Sequence, residues 1–269
     1  MKKITAGLLL IAASSFGLSS YKSGALHNTT KKTFVLVHGA WQAPYAWKTV
    51  QKELESKGEK VIIVELPGHG NDETSPVQLS MNAYRDKVID ALKKINGKVI
   101  LVGHSMGGMV ISAVAEKKPG QIEKLIYIGA FVPENGQSLM DLSMMDKQSL
   151  LGASIVPSQD HLTLDVKKEN LINIFCQNAT KEEQDMIMKN YRAEPAIPFT
   201  NKVTVTTANF GSVDKYYIHT TQDHAVGMDL QNQMADAANI TKTYSINSGH
   251  CPFISKPDEV TKLLLQIAN

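Results

Sequence analysis

From Lys32 onward the chain alternates short, nearly unbroken apolar runs rich in β-branched residues with segments of helical period. Runs that are apolar on successive positions, not on every second one, are strands buried on both faces, so the pattern demands a parallel sheet covered by helices on each side. Strands are predicted at Phe34–Val37, Val61–Glu65, Lys98–Val102 and Leu125–Ile128. Between them, helices are predicted over Trp47–Lys57 with Gly58 at its end, from a Ser80 cap to Ile95 with Gly97 beyond, and over Gly108–Lys118, stopped by Pro119-Gly120. The rhythm then breaks. Between Phe131 and Phe210 strong strand runs are missing, methionines are frequent, and Pro157, Pro195 and Pro198 interrupt the chain, which reads as a mainly helical insertion over about residues 133–210. Strand patterns resume at Lys215–Thr220 and Lys242–Ile246, followed by a helix from Pro257 to Ile267. The expected fold class is α/β: a mostly parallel six-stranded sheet with helices on both faces and a cap inserted after the fourth strand.

Composition excludes some functions. With 269 residues, 43% of them hydrophobic, the chain can bury a full core without disulfide or metal staples. The 28 Lys and Arg against 26 Asp and Glu leave a dispersed net charge of +2, too small for a phosphate-backbone binder, so nucleic acid is not an expected partner. The N-terminus runs Lys2-Lys3, an apolar stretch from Ile4 to Leu18, then Ser23-Gly24-Ala25. That order is a signal peptide's, shorter than the ~20 residues of a membrane span. The expectation is a signal peptide over residues 1–25, one domain over 26–269, export to the periplasm or the exterior, and no stable membrane anchor. In an oxidising compartment Cys176 and Cys251 could pair, tying insertion to core, although two free buried thiols are the commoner state.

The chemistry centres on Gly103-His104-Ser105-Met106-Gly107, a G-x-S-x-G sequence between an apolar strand and a helix. Glycines are needed at both ends because the turn carrying the nucleophile is too tight for side chains there. The turn lifts the Ser105 hydroxyl above the sheet edge and aims the following helix's N-terminus at the reacting oxygen. A serine hydroxyl needs an adjacent base, and the base needs an acid to hold its tautomer, in the chain order Ser, acid, His. Of eight histidines only His250 lies late, in a Gly-containing loop after the last strand. Asp223, three residues past the Lys215–Thr220 strand, sits where open parallel sheets build their sites. Asp214 precedes that strand and Asp229 opens the next helix, which leaves Glu134, just after the fourth strand, as the rival acid. Two backbone N–H donors for an oxyanion are expected from Met106, directly after the nucleophile, and from Ala40 in the His38-Gly39-Ala40-Trp41 loop. His38, His69 and His104 are read as turn residues. No histidine falls at zinc-ligand spacing, and neither a metal nor a cofactor is expected.

Together these residues resemble the α/β-hydrolase superfamily. Phe34-Val35-Leu36-Val37-His38-Gly39-Ala40-Trp41, Val102-Gly103-His104-Ser105-Met106-Gly107-Gly108-Met109 and Ala130-Phe131-Val132-Pro133 are similar to the plant methylesterase and hydroxynitrile lyase branch. The ending His250-Cys251-Pro252-Phe253, with Ser255 and Pro257, is closer to bacterial pyrethroid-hydrolase-like esterases. The resemblance implies an α/β-hydrolase fold and a serine esterase with Ser105, Asp223 and His250 as its triad, acting on small, apolar carboxylic esters. Methionines 140, 144, 145, 186 and 188 are candidates for an apolar lid. Two departures bear on lyase chemistry: lyases of this branch carry Thr where Gly39 stands, and Lys where Cys251 stands. The alternatives are C–C cleavage or lyase chemistry on the same fold, and a ligand-binding protein that keeps the triad without turnover.

Overall fold

The computed structural model describes Met1 and residues 31–269. Apart from Met1, the segment read as a signal peptide lies outside the described residues. The chain divides into the units Met1–Thr30 and Lys31–Asn269, and every element named below belongs to the second.

In chain order the first half contains β1 (Thr33–Val37), α1 (Lys48–Ser56), β2 (Lys60–Val64), α2 (Met81–Leu92), β3 (Val99–His104), α3 (Gly107–Lys117) and β4 (Ile122–Ile128). An insertion follows, with α4 (Leu139–Met145), β5 (Ile155–Pro157), β6 (Thr163–Val166), α5 (Leu171–Phe175), α6 (Lys181–Asn190), β7 (Glu194–Pro195) and α7 (Ile197–Thr200). The chain then returns through β8 (Asp214–Thr220), α8 (Met228–Ala237), β9 (Lys242–Ile246), α9 (Pro252–Ser255) and α10 (Pro257–Ala268).

Six strands form one sheet in the order β2-β1-β3-β4-β8-β9, and every neighbouring pair is parallel. Phe34 to Val37 and Val99 to Val102 are fully buried, as continuous apolar runs require. Each such side chain contributes about 1.5–3 kcal/mol on leaving water. The edge strands β2 and β9 bury only their last residues, Val64 and Ile246, and carry Lys60 and Lys242 outward. Because all six strands run one way, the C-terminal ends of β3, β4, β8 and β9 gather at a single sheet edge. The register pairs His104 with Ile128 and Thr220 with Ile246 there.

Local signals hold. The Ser80 hydroxyl accepts from the Ala83 N–H at 3.1 Å and caps α2, and Ser138 with Asp141, and Thr180 with Glu183, form reciprocal caps on α4 and α6. The insertion departs from the mainly helical expectation in one respect, because β5, β6 and β7 form a small antiparallel sheet with β6 in the middle. Its outer strands are three and two residues long and each contains proline. Strands that short carry no readable period. The alternation in β6, with Leu164 and Val166 buried between Thr163 and Asp165, is the one local trace of it. Among the described residues no helix is long and apolar enough to cross a membrane.

Candidate active site

Ser105 occupies the turn between β3 and α3 with φ 52°, a left-handed conformation rare for any residue with a Cβ. The turn is closed by contacts that leave no room at its ends. A Cβ at Gly103 would lie 2.7 Å from the Gly107 carbonyl oxygen, and one at Gly107 would lie 2.8 Å from the carbonyl oxygens of His38 and Val37. The two glycines therefore let the Ser105 turn press against the end of β1 and the loop after it, where Gly39 lies against Ser105. Ser105 itself is 8% exposed.

Asp223 and His250 meet across the ends of β8 and β9. His250 Nδ1 lies 2.8 Å from Asp223 Oδ2, with both side chains almost fully buried. The same Oδ2 accepts from the Thr220 hydroxyl at 2.7 Å, while Oδ1 accepts from the N–H groups of Ala225 and Val226, each at 2.8 Å. Four donors satisfy a carboxylate that burial would otherwise penalise. Gln231 of α8 holds Thr220 in turn, accepting from its N–H and donating to its hydroxyl and to the Val226 carbonyl. Glu134, the rival acid, is exposed in the turn leading to Gln137, away from this cluster.

His104, next to Ser105, ties the His250 loop to the Ser105 turn. His104 Nε2 donates to the His250 carbonyl oxygen at 2.8 Å, and the two rings pack with centroids 4.4 Å apart. Phe175, from the insertion, packs on the other ring contact of His250 at 5.8 Å. Cys176 and Cys251 are both free, buried thiols. The Gln42 side-chain N–H donates to Cys251 Sγ at 2.9 Å, and burial together with nearby Cys176 pushes the Cys251 thiol well above its ordinary range. Cys251 is neutral there. Of the five methionines read as a lid, Met140 lines a small cavity of mixed character with Leu151, Ile155, Phe199, Ser149 and Asp146, whereas Met144 and Met145 are exposed.

His38 and His104 are both completely buried, His104 as the last residue of β3 and not in a turn as expected, and their burial has a consequence for stability. Burial, and then the charge of His69, push His38 down to about 3, and burial with the neighbouring His250 holds His104 well below 6.5. A histidine neutral when folded but titrating near 6.5 when unfolded contributes stability that is complete above pH 6.5. That contribution falls as the pH drops toward the folded value. For His38 the loss is on the order of 4–5 kcal/mol by pH 3, and His104 adds in the same direction. Urea midpoints measured from pH 7 to pH 4 should fall steeply, and less steeply in a His38→Gln variant, whose amide can still donate to Gly39 O and accept from Leu66 N. Equal pH slopes in the two proteins would refute this assignment.

No motif or period marks Gln231 or Thr220, nor Glu194 of β7, whose carboxylate reaches the loop after β1. Glu194 acts on partners distant along the chain, Gln231 through a side-chain amide that no motif marks, and Thr220 through a hydroxyl whose contact with Asp223 depends on how the loop folds. Among the described residues no group of three His, Cys, Asp or Glu is placed to hold a metal ion.

Comparison with known proteins agrees with this architecture. Residues 34–263 match the alpha/beta hydrolase family. Putative methylesterase 11 of Arabidopsis thaliana is 32% identical over 247 residues, covering 87% of this chain, and the chain spans only 63% of that relative's length. An alpha-hydroxynitrile lyase of the same plant is 29% identical over 88% of the chain and 97% of its own. Among solved structures, a polyneuridine aldehyde esterase superposes with a TM-score of 0.80 at 22% identity, covering 89% of this chain and all of that one. A pyrethroid hydrolase from Sphingobium faniae superposes at 0.78 and 22% identity, over 89% and 98% of the two chains.

One expectation is overturned by these relatives. Export was read from the N-terminal segment, but methylesterases 11 to 15 of Arabidopsis thaliana are chloroplastic, neither secreted nor periplasmic. Basic, acid-poor N-terminal segments containing serine are common to export signals and organelle transit peptides, so composition does not separate the two routes. Sheet order and sequence match point the same way, and the chain belongs to the alpha/beta hydrolase family.

Proposed function

We propose that this chain is a serine esterase that cleaves small, apolar carboxylic esters through an acyl-enzyme. The observation that carries the reading is the buried Asp223–His250 contact of 2.8 Å, set at the sheet edge where Ser105 stands on its left-handed turn. His250 takes the Ser105 proton as the hydroxyl attacks the ester carbonyl, and the N–H groups of Ala40 and Met106 receive the charge on the carbonyl oxygen. The tetrahedral adduct collapses as His250 returns the proton to the departing alcohol. Water, deprotonated by His250, then attacks the acyl-enzyme and releases the acid. Asp223 keeps the Nδ1 proton on His250 and balances the imidazolium formed in each step. The insertion acts as the cap, reaching the site through Phe175, which packs against the His250 ring.

Lyase chemistry fits this site poorly. A Cβ at Gly39 would lie 2.7 Å from the Ser105 Cβ and 2.9 Å from His104 Nδ1, so the lyase threonine has no room. The neutral Cys251 thiol offers no cation to departing cyanide. The test is labelling with a fluorophosphonate, together with turnover of p-nitrophenyl butyrate and of an aromatic cyanohydrin. A single adduct on the Ser105 peptide, ester turnover and no cyanide release are expected. Cyanide release without ester turnover would reverse the assignment, and saturable ester binding without turnover or adduct would favour a ligand-binding protein.

A further inference from the structure

Glu194 is completely buried, comes from β7 of the insertion, and has no part in the mechanism above. Burying a carboxylate is costly, so its partners matter. Its Oε2 accepts from the Trp41 backbone N–H at 2.7 Å and from His69 Nε2 at 2.8 Å, and its Oε1 lies buried with no hydrogen-bond partner among the described residues. Trp41 follows Ala40 directly and has φ 58°, a left-handed backbone that a tryptophan adopts only when its surroundings enforce it.

We propose that Glu194 is a positioning residue for the oxyanion loop, gripping the Trp41 N–H so that the Ala40 N–H is held toward the reacting carbonyl. The inference rests on the esterase reading above. Two peptide planes flank the Ala40 Cα, and both are held by side chains. The Ala40–Trp41 plane is held by Glu194 itself. The Gly39–Ala40 plane, which carries the Ala40 N–H, is held by its carbonyl oxygen, which accepts from His38 Nδ1 at 2.9 Å. His38 packs on His69, with centroids 4.9 Å apart, and His69 is the other partner of Glu194. Trp41 is fixed at its indole end as well, its N–H donating to the Leu164 carbonyl of β6 at 2.9 Å. Burial disfavours a charged His69, but the Glu194 carboxylate outweighs this and raises its pKa above the ordinary value. The His69 ring, in contact with Glu194 Oε2 at 2.8 Å, offsets part of the cost of burying the carboxylate. One acid in the insertion therefore joins the loops after β1 and β2 into a single rigid support.

Two conservative variants separate the grip from the charge. Glu194→Gln removes the charge but keeps an acceptor within reach of the Trp41 N–H, whereas Glu194→Asp keeps the charge and withdraws the acceptor by one methylene. With p-nitrophenyl butyrate, Glu194→Asp is expected to lose about 100-fold in kcat, the scale of a displaced oxyanion donor, with KM changed less than about threefold. Glu194→Gln is expected to stay within about tenfold of wild type. The positioning role alone is overturned if the wild type turns over ester and Glu194→Asp is as active as Glu194→Gln or more so. It is equally overturned if the loss appears in KM with kcat unchanged. A wild type that gives neither ester turnover nor a fluorophosphonate adduct on Ser105 overturns the esterase reading, and the positioning role with it.

Discussion

Ser105→Ala is expected to lower kcat for p-nitrophenyl butyrate by about 10⁵–10⁶-fold and to abolish the fluorophosphonate adduct, because no other group can form the acyl-enzyme. The fold should survive. Alanine keeps the Cβ, so the left-handed turn at φ 52° is neither relieved nor worsened, and the glycines at 103 and 107 still make the close approaches that shape it. Only one oxygen is removed from a position that is 8% exposed. The unfolding midpoint should therefore move by no more than a surface substitution's worth, about 0.5 kcal/mol. Ester affinity, read as the Ki of a slowly hydrolysed amide analogue, should stay within a few-fold. A variant that retains more than about 1% of the wild-type rate would end the serine mechanism, because the oxyanion donors alone supply far less acceleration than that.

Asp223→Asn should cost about 10⁴-fold in kcat with little change in KM, and the structure dictates why. Asp223 Oδ1 faces two backbone donors, the N–H groups of Ala225 and Val226. An asparagine must turn its carbonyl oxygen to them, since its NH₂ there would meet two hydrogens. Its NH₂ then takes the Oδ2 position, facing His250 Nδ1 and the Thr220 hydroxyl. His250 Nδ1 can meet that donor only as an acceptor, so the ring proton moves to Nε2 and the imidazole can no longer accept a proton from Ser105. Nitrogen NMR of labelled His250 should report the tautomer change directly, separately from activity. Activity within tenfold of wild type, or an unchanged tautomer, would show that some other group orients the base.

How much was legible beforehand differs by element. The strands Phe34–Val37 and Lys242–Ile246, the Ser80 cap and the Pro257 helix start were readable because their causes lie within a few residues. The Ser105 turn was readable from its glycine spacing: Gly103 and Gly107 are four apart and a Cβ at Gly103 would meet the Gly107 carbonyl, whereas the close approach of Gly107 to the His38 and Val37 carbonyls is a tertiary contact that the spacing does not show. His250 and Asp223 were found by combining chain order with the strand ends, and only at the level of which loop each occupies. The small sheet of the insertion escaped notice because strands of two or three residues have no period to detect. Gln231 and Glu194 escaped because neither residue type nor spacing marks a group whose partners stand on other elements.

By itself, then, the sequence determined the parallel sheet, the strained serine and the loops that surround it, since hydrophobic period, capping and glycine geometry are short-range causes. Only the tertiary structure brought the acid and His250 into contact: β8 pairs with β9 and so sets their end loops side by side, where buried Asp223 reaches the ring while Glu134 stays exposed. It alone brought Glu194 to Trp41 across 153 residues of chain. A buried charge finds its partners only when the packed fold removes water and leaves particular donors within reach, and no local pattern encodes that meeting.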